Sequence, residues 1–197
     1  VESFCSEFDI PVLTAWTHDT FNEESSVYVG RPGTIGTRSA NMILQNSDLL
    51  IVFGSRLNIR QVGYNYENFA PNAKIIQIDI DKFELNKPFP KIALPIHSSI
   101  FNFILDVKVQ IPRFNVQKFS KWLSWAKAIK EKYEPKTEDY PPAPGINPYR
   151  AIPQIASNIP ENSIIVCANA TACIVTFQTV KISRGLRLFS NSGSASM

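Results

Sequence analysis

Four short stretches hold residues whose types and spacing could do chemistry. "GRPGTIG" sets glycines at 30, 33 and 36 ahead of a helical pattern, and unhindered amides at a helix N-terminus attract anions. Gly33 and Gly36 are therefore candidate nucleotide-phosphate contacts. The spacing matches neither GxGxxG nor GxxxxGK[ST], and no strand pattern stands immediately before it. A turn-rich connection accounts for the stretch equally well. "FGSR" closes an apolar run with Gly54, Ser55 and Arg56, a set that would meet a nucleotide or diphosphate at the carboxyl end of a parallel strand. The alternative is that Arg56 and Arg60 pair with acidic neighbours. "IDID" places Asp79 and Asp81 two residues apart, facing the same way at a strand end. They could accept hydrogen bonds from ribose hydroxyls, or cap the next helix, "KFELNK".

"CANATAC" (Cys167–Cys173) follows an apolar run and opens a helix. Small residues there let a ligand approach the backbone, Asn169 and Thr171 offer side-chain hydrogen bonds, and a diphosphate could sit on the amides of this stretch. An ordinary strand-to-helix turn would read the same way. A second small-residue run, "SNSGSASM", follows the strand-like "LRLF" and reaches Met197. The three cysteines, at 5, 167 and 173, are odd in number and lack CxxC spacing, which fits a reducing compartment better than a disulfide framework. Neither Cys167 nor Cys173 has a basic neighbour in sequence to lower its pKa, so both read as structural thiols. His18 and His97 stand far apart and outside any HExxH pattern, which leaves no zinc set.

The elements that must position these residues alternate. "IPVLTAW" (Ile10–Trp16), "DLLIVFG" (Asp48–Gly54), "AKIIQIDID" (Ala73–Asp81) and a short piece of "KIALPIHS" (Lys91–Ser98) read as strands. The continuous apolar run at 48–54 reads as a strand buried on both faces. Helical patterns lie at 1–8, in "TRSANMILQNS", in "SIFNFILDV" and from Gln117 to Tyr133. "EPKTEDYPPAPGINP" (Glu134–Pro148) holds five prolines in fifteen residues, which excludes a helix and a central strand and marks an interdomain linker. A helix, a strand (Ser163–Ala168), a helix and a strand ("LRLFS") follow. The fold class is α/β: a parallel-sheet, nucleotide-binding-like middle domain followed by an incomplete second α/β domain.

Composition narrows the function. With 44% hydrophobic and 19% charged residues the chain is an ordinary globular one, and twenty basic against seventeen acidic residues give a net charge of +3. The lysines at 118, 121, 127, 130 and 132 alternate with Trp122, Leu123, Trp125 and Ile129. They form the solvated side of an amphipathic helix and not a nucleic-acid patch. No apolar run approaches the roughly 20 residues that span a bilayer, and the N-terminal residues have no signal-peptide pattern. Nucleic-acid and membrane partners are therefore not expected, and the location expected is cytoplasmic.

In order, these segments resemble a known family. "IPVLTAW…YVGRPGTIGTRSANMILQNSDLLIVFGSRL…FAPNAKIIQIDIDKFELNK" is similar to the middle domain of thiamine-diphosphate-dependent enzymes of the acetolactate synthase group. "NPYRAIPQIASNIPENSIIVCANATACIVTFQ…RGLRLFSNSGSASM" looks like the start of their carboxyl-terminal, diphosphate-binding domain. The resemblance implies residues 1–133 as a middle domain without its first strand, 134–146 as linker, and 147–197 as the start of the cofactor-binding domain. It implies thiamine diphosphate and Mg2+ as cofactors of the full-length protein, a 2-oxo acid as substrate, and a homo-oligomer, dimer or tetramer. It places Asn169, Ala170, Thr171 and Ala172 on the diphosphate loop and Gly193, Ser194, Ala195, Ser196 and Met197 under the aminopyrimidine. Met197 stands at the bulky residue that wedges the cofactor into its bent form. The catalytic glutamate and the Gly-Asp-Gly metal motif of the family fall upstream of Val1 and beyond Met197, so residues 1–197 alone are expected to be inactive. Two departures stand out. Relatives often carry Gly-Gln-His-Gln where this chain has Ala170-Thr171-Ala172-Cys173. Flavin-binding relatives carry Asp-Asp-Arg where it has Asn58-Ile59-Arg60, which counts against FAD and against acetolactate synthesis in the strict sense. An FAD-, NAD- or ADP-binding module, or a non-catalytic scaffold, are the alternatives.

Overall fold

The computed structural model describes residues 1–15, 21–114, 116–142, 144–183 and 185–190. Helix α1 (Glu2–Glu7) turns Phe4 and Cys5 inward and leads to strand β1 (Val12–Leu13), which pairs in parallel with β2 (Tyr28–Gly30). Strand β2 corrects one expectation: a strand does stand directly before the glycine-rich loop. It has only three residues, all buried, too few to show a period in sequence. Of the strand expected over 10–16, two residues are extended in a ladder, and Trp16 lies outside the described residues.

Helix α2 (Arg38–Gln45) starts where the Thr37 hydroxyl accepts the Ala40 amide, and it buries Ala40, Ile43 and Leu44, the face its spacing predicts. Strands β3 (Leu49–Phe53), β4 (Lys74–Asp79) and β5 (Leu94–His97) form a parallel ladder in that order. Between them lie the short helices α3 (Ile59–Val62) and α4 (Lys82–Leu85). β4 is the centre of the ladder and buries Ile75, Gln77, Ile78 and Asp79. β3 is less buried than its apolar run implies. Leu49 is 43% exposed and only Val52 is buried, because β3 pairs with β4 alone among the described strands.

Helix α5 (Ile100–Gln110) is capped by Ser99 and is followed by α6 (Ser120–Tyr133), which buries Leu123 and Ala126. Among its described residues the proline-rich stretch carries a 3-10 turn at Thr137–Asp139, and its last residue, Pro148, opens a helix, two local exceptions to the expected absence of helix. Helix α7 (Pro148–Ala156) has Pro at its first position and Asn147 as its cap, which suits a residue with no amide to offer. Strands β6 (Ile164–Cys167) and β7 (Arg187–Ser190) then pair in parallel around helix α8 (Ala170–Thr179).

Three clusters of buried side chains hold these elements, each large aliphatic or aromatic group contributing about 1.5–3 kcal/mol. Phe4, Phe8, Val29, Ile43 and Leu123 form one; Leu44, Val52, Leu57, Phe69 and Ile75 form another, and Leu13 touches both. The last comprises Cys167, Cys173, Phe177, Val180, Ile182 and Leu188, and Ile35 of the glycine-rich loop packs onto it. No helix among the described residues is long and apolar enough to cross a membrane.

Candidate functional site

The glycine-rich loop spends its amides on the chain itself. The Gly33 amide donates to Asn41 Oδ1 at 2.8 Å, while Asn41 Nδ2 donates to the Gly33 carbonyl at 3.0 Å. The Thr34 amide donates to the Arg60 carbonyl at 2.8 Å, the Gly36 amide to Gly33 at 3.0 Å, and the Thr37 amide to Arg31 at 3.0 Å. A Cβ at Gly33 (φ +131°) would stand 2.6 Å from the Arg60 carbonyl oxygen, and one at Gly36 would stand 2.5 Å from that of Arg31. Both glycines thus answer to backbone pressed on backbone.

At the carboxyl ends of β3 and β4 the polar groups are also largely engaged. Gly54 holds φ +59° and its amide donates to the Ile78 carbonyl at 2.9 Å. Ser55 Oγ donates to Gln61 Oε1 at 2.9 Å, and Arg56 Nε donates to Glu84 Oε1 at 2.7 Å. Lys87 pairs with Glu84 Oε2 at 3.1 Å and also donates to the Arg56 carbonyl. The hydrogen bond from Arg56, together with Lys87, holds the Glu84 carboxyl below the usual carboxylate range. Asp81 Oδ1 accepts the Phe83 amide at 2.8 Å, and Asp79 Oδ1 accepts the Asp81 amide at 2.9 Å. Arg56 is thus ion-paired with Glu84, and Asp81 caps α4. A groove of about 480 Å³ opens here between Arg56, Tyr66, Lys87 and Phe89, with the two rings stacked at 6.0 Å.

The turn between β6 and α8 is organised differently. Asn169 caps α8, its Oδ1 accepting the Ala170 amide at 2.7 Å. Thr171 and Ala172 lie in the first helical turn, where amides have no preceding carbonyl within the helix, and with Ala170 they are exposed. That turn contains no acidic residue, so no side chain within it opposes the partial positive charge of the helix end. Ala170 holds φ +55°, a conformation natural to glycine and costly, by about 1–2 kcal/mol, for other residues. The amides of Thr171 and Ala172, with small neighbours and a turn shaped by Asn169, are a donor set that suits a diphosphate, so the residues present fit the group. Burial pushes the Cys167 thiol up, and Cys173 is buried beside Ser190, Sγ to Oγ 3.1 Å; both stand as packing residues. Gly193, Ser194, Ala195, Ser196 and Met197 lie outside the described residues.

The glycine-rich loop and α8 meet directly: Gln178 Nε2 donates to the Ile35 carbonyl at 2.9 Å, and Tyr149 Oη donates to Gln178 Oε1 at 2.7 Å. The structure therefore joins Ile35, beside Gly33 and Gly36, to the carboxyl-terminal turn of the helix that starts at Asn169–Ala172. The strand-end set Gly54, Ser55, Arg56 and Asp79 is gathered separately around Gln61, Gln77 and Glu84. Sequence reasoning missed Asn41, Glu23, Arg31 and Gln77. Gln77 is fully buried in β4, its Nε2 reaching the Ser55 carbonyl at 3.3 Å and its Oε1 unpaired among the described residues. Its one signal was an amide flanked by isoleucines inside a strand. Among the described residues no three His, Cys, Asp or Glu side chains converge as a metal site would need.

The comparisons with known proteins agree with this architecture. The profile of the thiamine pyrophosphate enzyme central domain matches residues 1–105. The acetolactate synthase large subunit of Corynebacterium glutamicum is 30% identical over 167 residues, 83% of this chain and 26% of that protein. The acetolactate synthase isozyme 1 large subunit of Escherichia coli is 33% identical over 173 residues, 86% of this chain and 29% of that protein. The acetolactate synthase large subunit of Cyanidium caldarium is 38% identical over 96 residues, 48% of this chain and 16% of that protein. The chain thus spans a little over a quarter of the length of the first two relatives. With its parallel ladders, its central-domain match and these relatives, the chain belongs to the thiamine pyrophosphate enzyme family, in the acetolactate synthase group.

Proposed function

We propose that this chain is part of a thiamine-diphosphate- and Mg2+-dependent enzyme that acts on a 2-oxo acid by acetolactate-synthase-like decarboxylation and carboligation. The observation that carries the reading is the exposed, acid-free turn at Asn169–Ala172 with its strained Ala170. Strain kept at a ligand-facing turn is a mark of function. When bound, thiamine diphosphate supplies a thiazolium carbon able to hold negative charge next to a substrate carbonyl. This chain's residues do the holding: the Thr171 and Ala172 amides bind the diphosphate and Asn169 keeps the turn in shape. Gly193 to Met197 are assigned to the aminopyrimidine side by the family resemblance. Ala170-Thr171-Ala172-Cys173 lacks the two long polar side chains of Gly-Gln-His-Gln, which supports a 2-oxo acid activity other than acetolactate synthesis itself.

In this reading residues 1–133 are the middle domain, 134–146 the linker and 147–197 the start of the cofactor-binding domain. A separate hydrophobic cluster around α8 supports that division. A homo-oligomer in the cytoplasm completes it; the three reduced, buried cysteines and the exposed Ile164, Val166 and Phe189 on the β6–β7 ladder support a reducing location and a covered face. The test is calorimetric titration of thiamine diphosphate with Mg2+ into the wild type and Thr171→Glu. A carboxylate placed at the helix end should weaken binding about tenfold or more, and equal affinities would sink the assignment. A nucleotide in the groove beside Arg56 and Phe89 is the second reading, favoured by that groove's place at the strand ends. A flavin absorption band in the purified protein would support it, and a colourless protein indifferent to ADP would remove it.

A further inference from the structure

We propose that Arg31 is a positioning residue: it clamps helix α8, and with it the Asn169–Ala172 turn, onto the glycine-rich loop. Arg31 follows Gly30 at the end of β2 and is 3% exposed. Its Nη1 donates to the Phe177 carbonyl at 2.6 Å and reaches the Val180 carbonyl at 3.5 Å. Its Nη2 pairs with Glu23, whose side chain is 9% exposed, and the guanidinium lies 5.1 Å from the centroid of the Phe177 ring. Phe177 and Val180 form the last turn and the C-cap of α8, where carbonyls lack intrahelical donors and the helix end is partially negative. The guanidinium therefore caps the helix from 146 residues away in sequence. Two neutral bonds flank it: the Glu23 amide to the Ile182 carbonyl at 3.2 Å, and Gln178 to Ile35.

Stability alone is a poor reason for this arrangement. A buried ion pair returns about what its desolvation costs, and Arg31 Nε finds no partner among the described residues. What the pair does supply is direction, because a planar fork fixes two carbonyls and a carboxylate in one geometry. Burial lowers the guanidinium only to about 10, so the clamp is charged throughout the physiological range. Helix α8 is ten residues long, a rod of about 15 Å, and a tilt at its clamped end displaces the turn at the other.

The cofactor consequence rests on the thiamine-diphosphate reading above; the clamp does not. The experiment compares wild type with Arg31→Met, which keeps length without charge, and Arg31→Lys, which keeps charge without the fork. Glu23→Gln serves as the milder variant should Arg31→Met fail to fold. Amide hydrogen exchange and thiamine-diphosphate titration with Mg2+ are read on each. Exchange across residues 169–180 should quicken about tenfold or more while β3 and β4 keep their protection. Affinity should fall about tenfold or more, a small displacement being enough for that, with partial recovery in Arg31→Lys. Unchanged exchange in α8, or loss spread evenly over β3 and β4, overturns the clamp. Faster exchange with unchanged affinity overturns the positioning role. Faster exchange in a protein whose wild type never binds the cofactor keeps the clamp and removes the thiamine-diphosphate reading instead.

Discussion

The glycine-rich loop at 30–37 and the turn at 167–172 are two strand-to-helix connections of opposite character. The loop has three glycines and the look of a phosphate cradle, yet its amides at Gly33, Thr34, Gly36 and Thr37 are all donated within the chain. The turn has no glycine at all, yet it is exposed, free of acidic residues and opens a helix. What separates them is where the amides point, which residue type alone does not reveal. Glycine in the first is demanded by crowding; positive φ in the second is endured by Ala170 without it.

The largest effect that would break this contrast is expected at Gly36. A methyl there meets backbone on every side, with contacts of 2.5 Å to the Arg31 oxygen, so Gly36→Ala should cost on the order of 3 kcal/mol or more. Urea denaturation reads it, and an unaffected midpoint would return the loop to the list of ligand cradles. Asn41→Ala comes next. It strips the partner from both polar groups of Gly33, a loss of about 2 kcal/mol in the same assay.

A smaller effect of opposite sign sharpens the other half. Ala170→Gly relieves the left-handed strain but frees the unfolded chain, leaving a net gain of about 0.5 kcal/mol. A lower midpoint would mean that the Ala170 conformation is not strained. The smallest effect lies at Glu84, whose folded-state pKa is lowered by Arg56. Its contribution is complete at neutral pH and fades as pH falls through that lowered pKa. Comparing Glu84→Gln with wild type from pH 7 to 3 should show a slight deficit that closes in acid and with added salt. A deficit that grows in acid contradicts the pairing.

Much of the fold was legible because long apolar runs and caps are local signals. β4, the buried face of α2, and the cap at Asp81 follow from patterns within a few residues. β2 was not, since three buried residues carry no period. Nor was the partial exposure of β3, which depends on what pairs beside it rather than on its own composition. At the candidate site the ordered series of motifs pointed to the family, while amide occupancy remained invisible. Asn41 reaches Gly33 across eight residues and Arg31 reaches Phe177 across 146, and nothing in either residue's neighbourhood announces its partner.

The most direct test of the central claim is amide-resolved NMR of the full chain during titration with thiamine diphosphate and Mg2+. The account predicts saturable shifts at Thr171 and Ala172, with Gly33, Thr34 and Gly36 unmoved. Shifts at the glycine-rich loop, with the α8 amides unmoved, would contradict it.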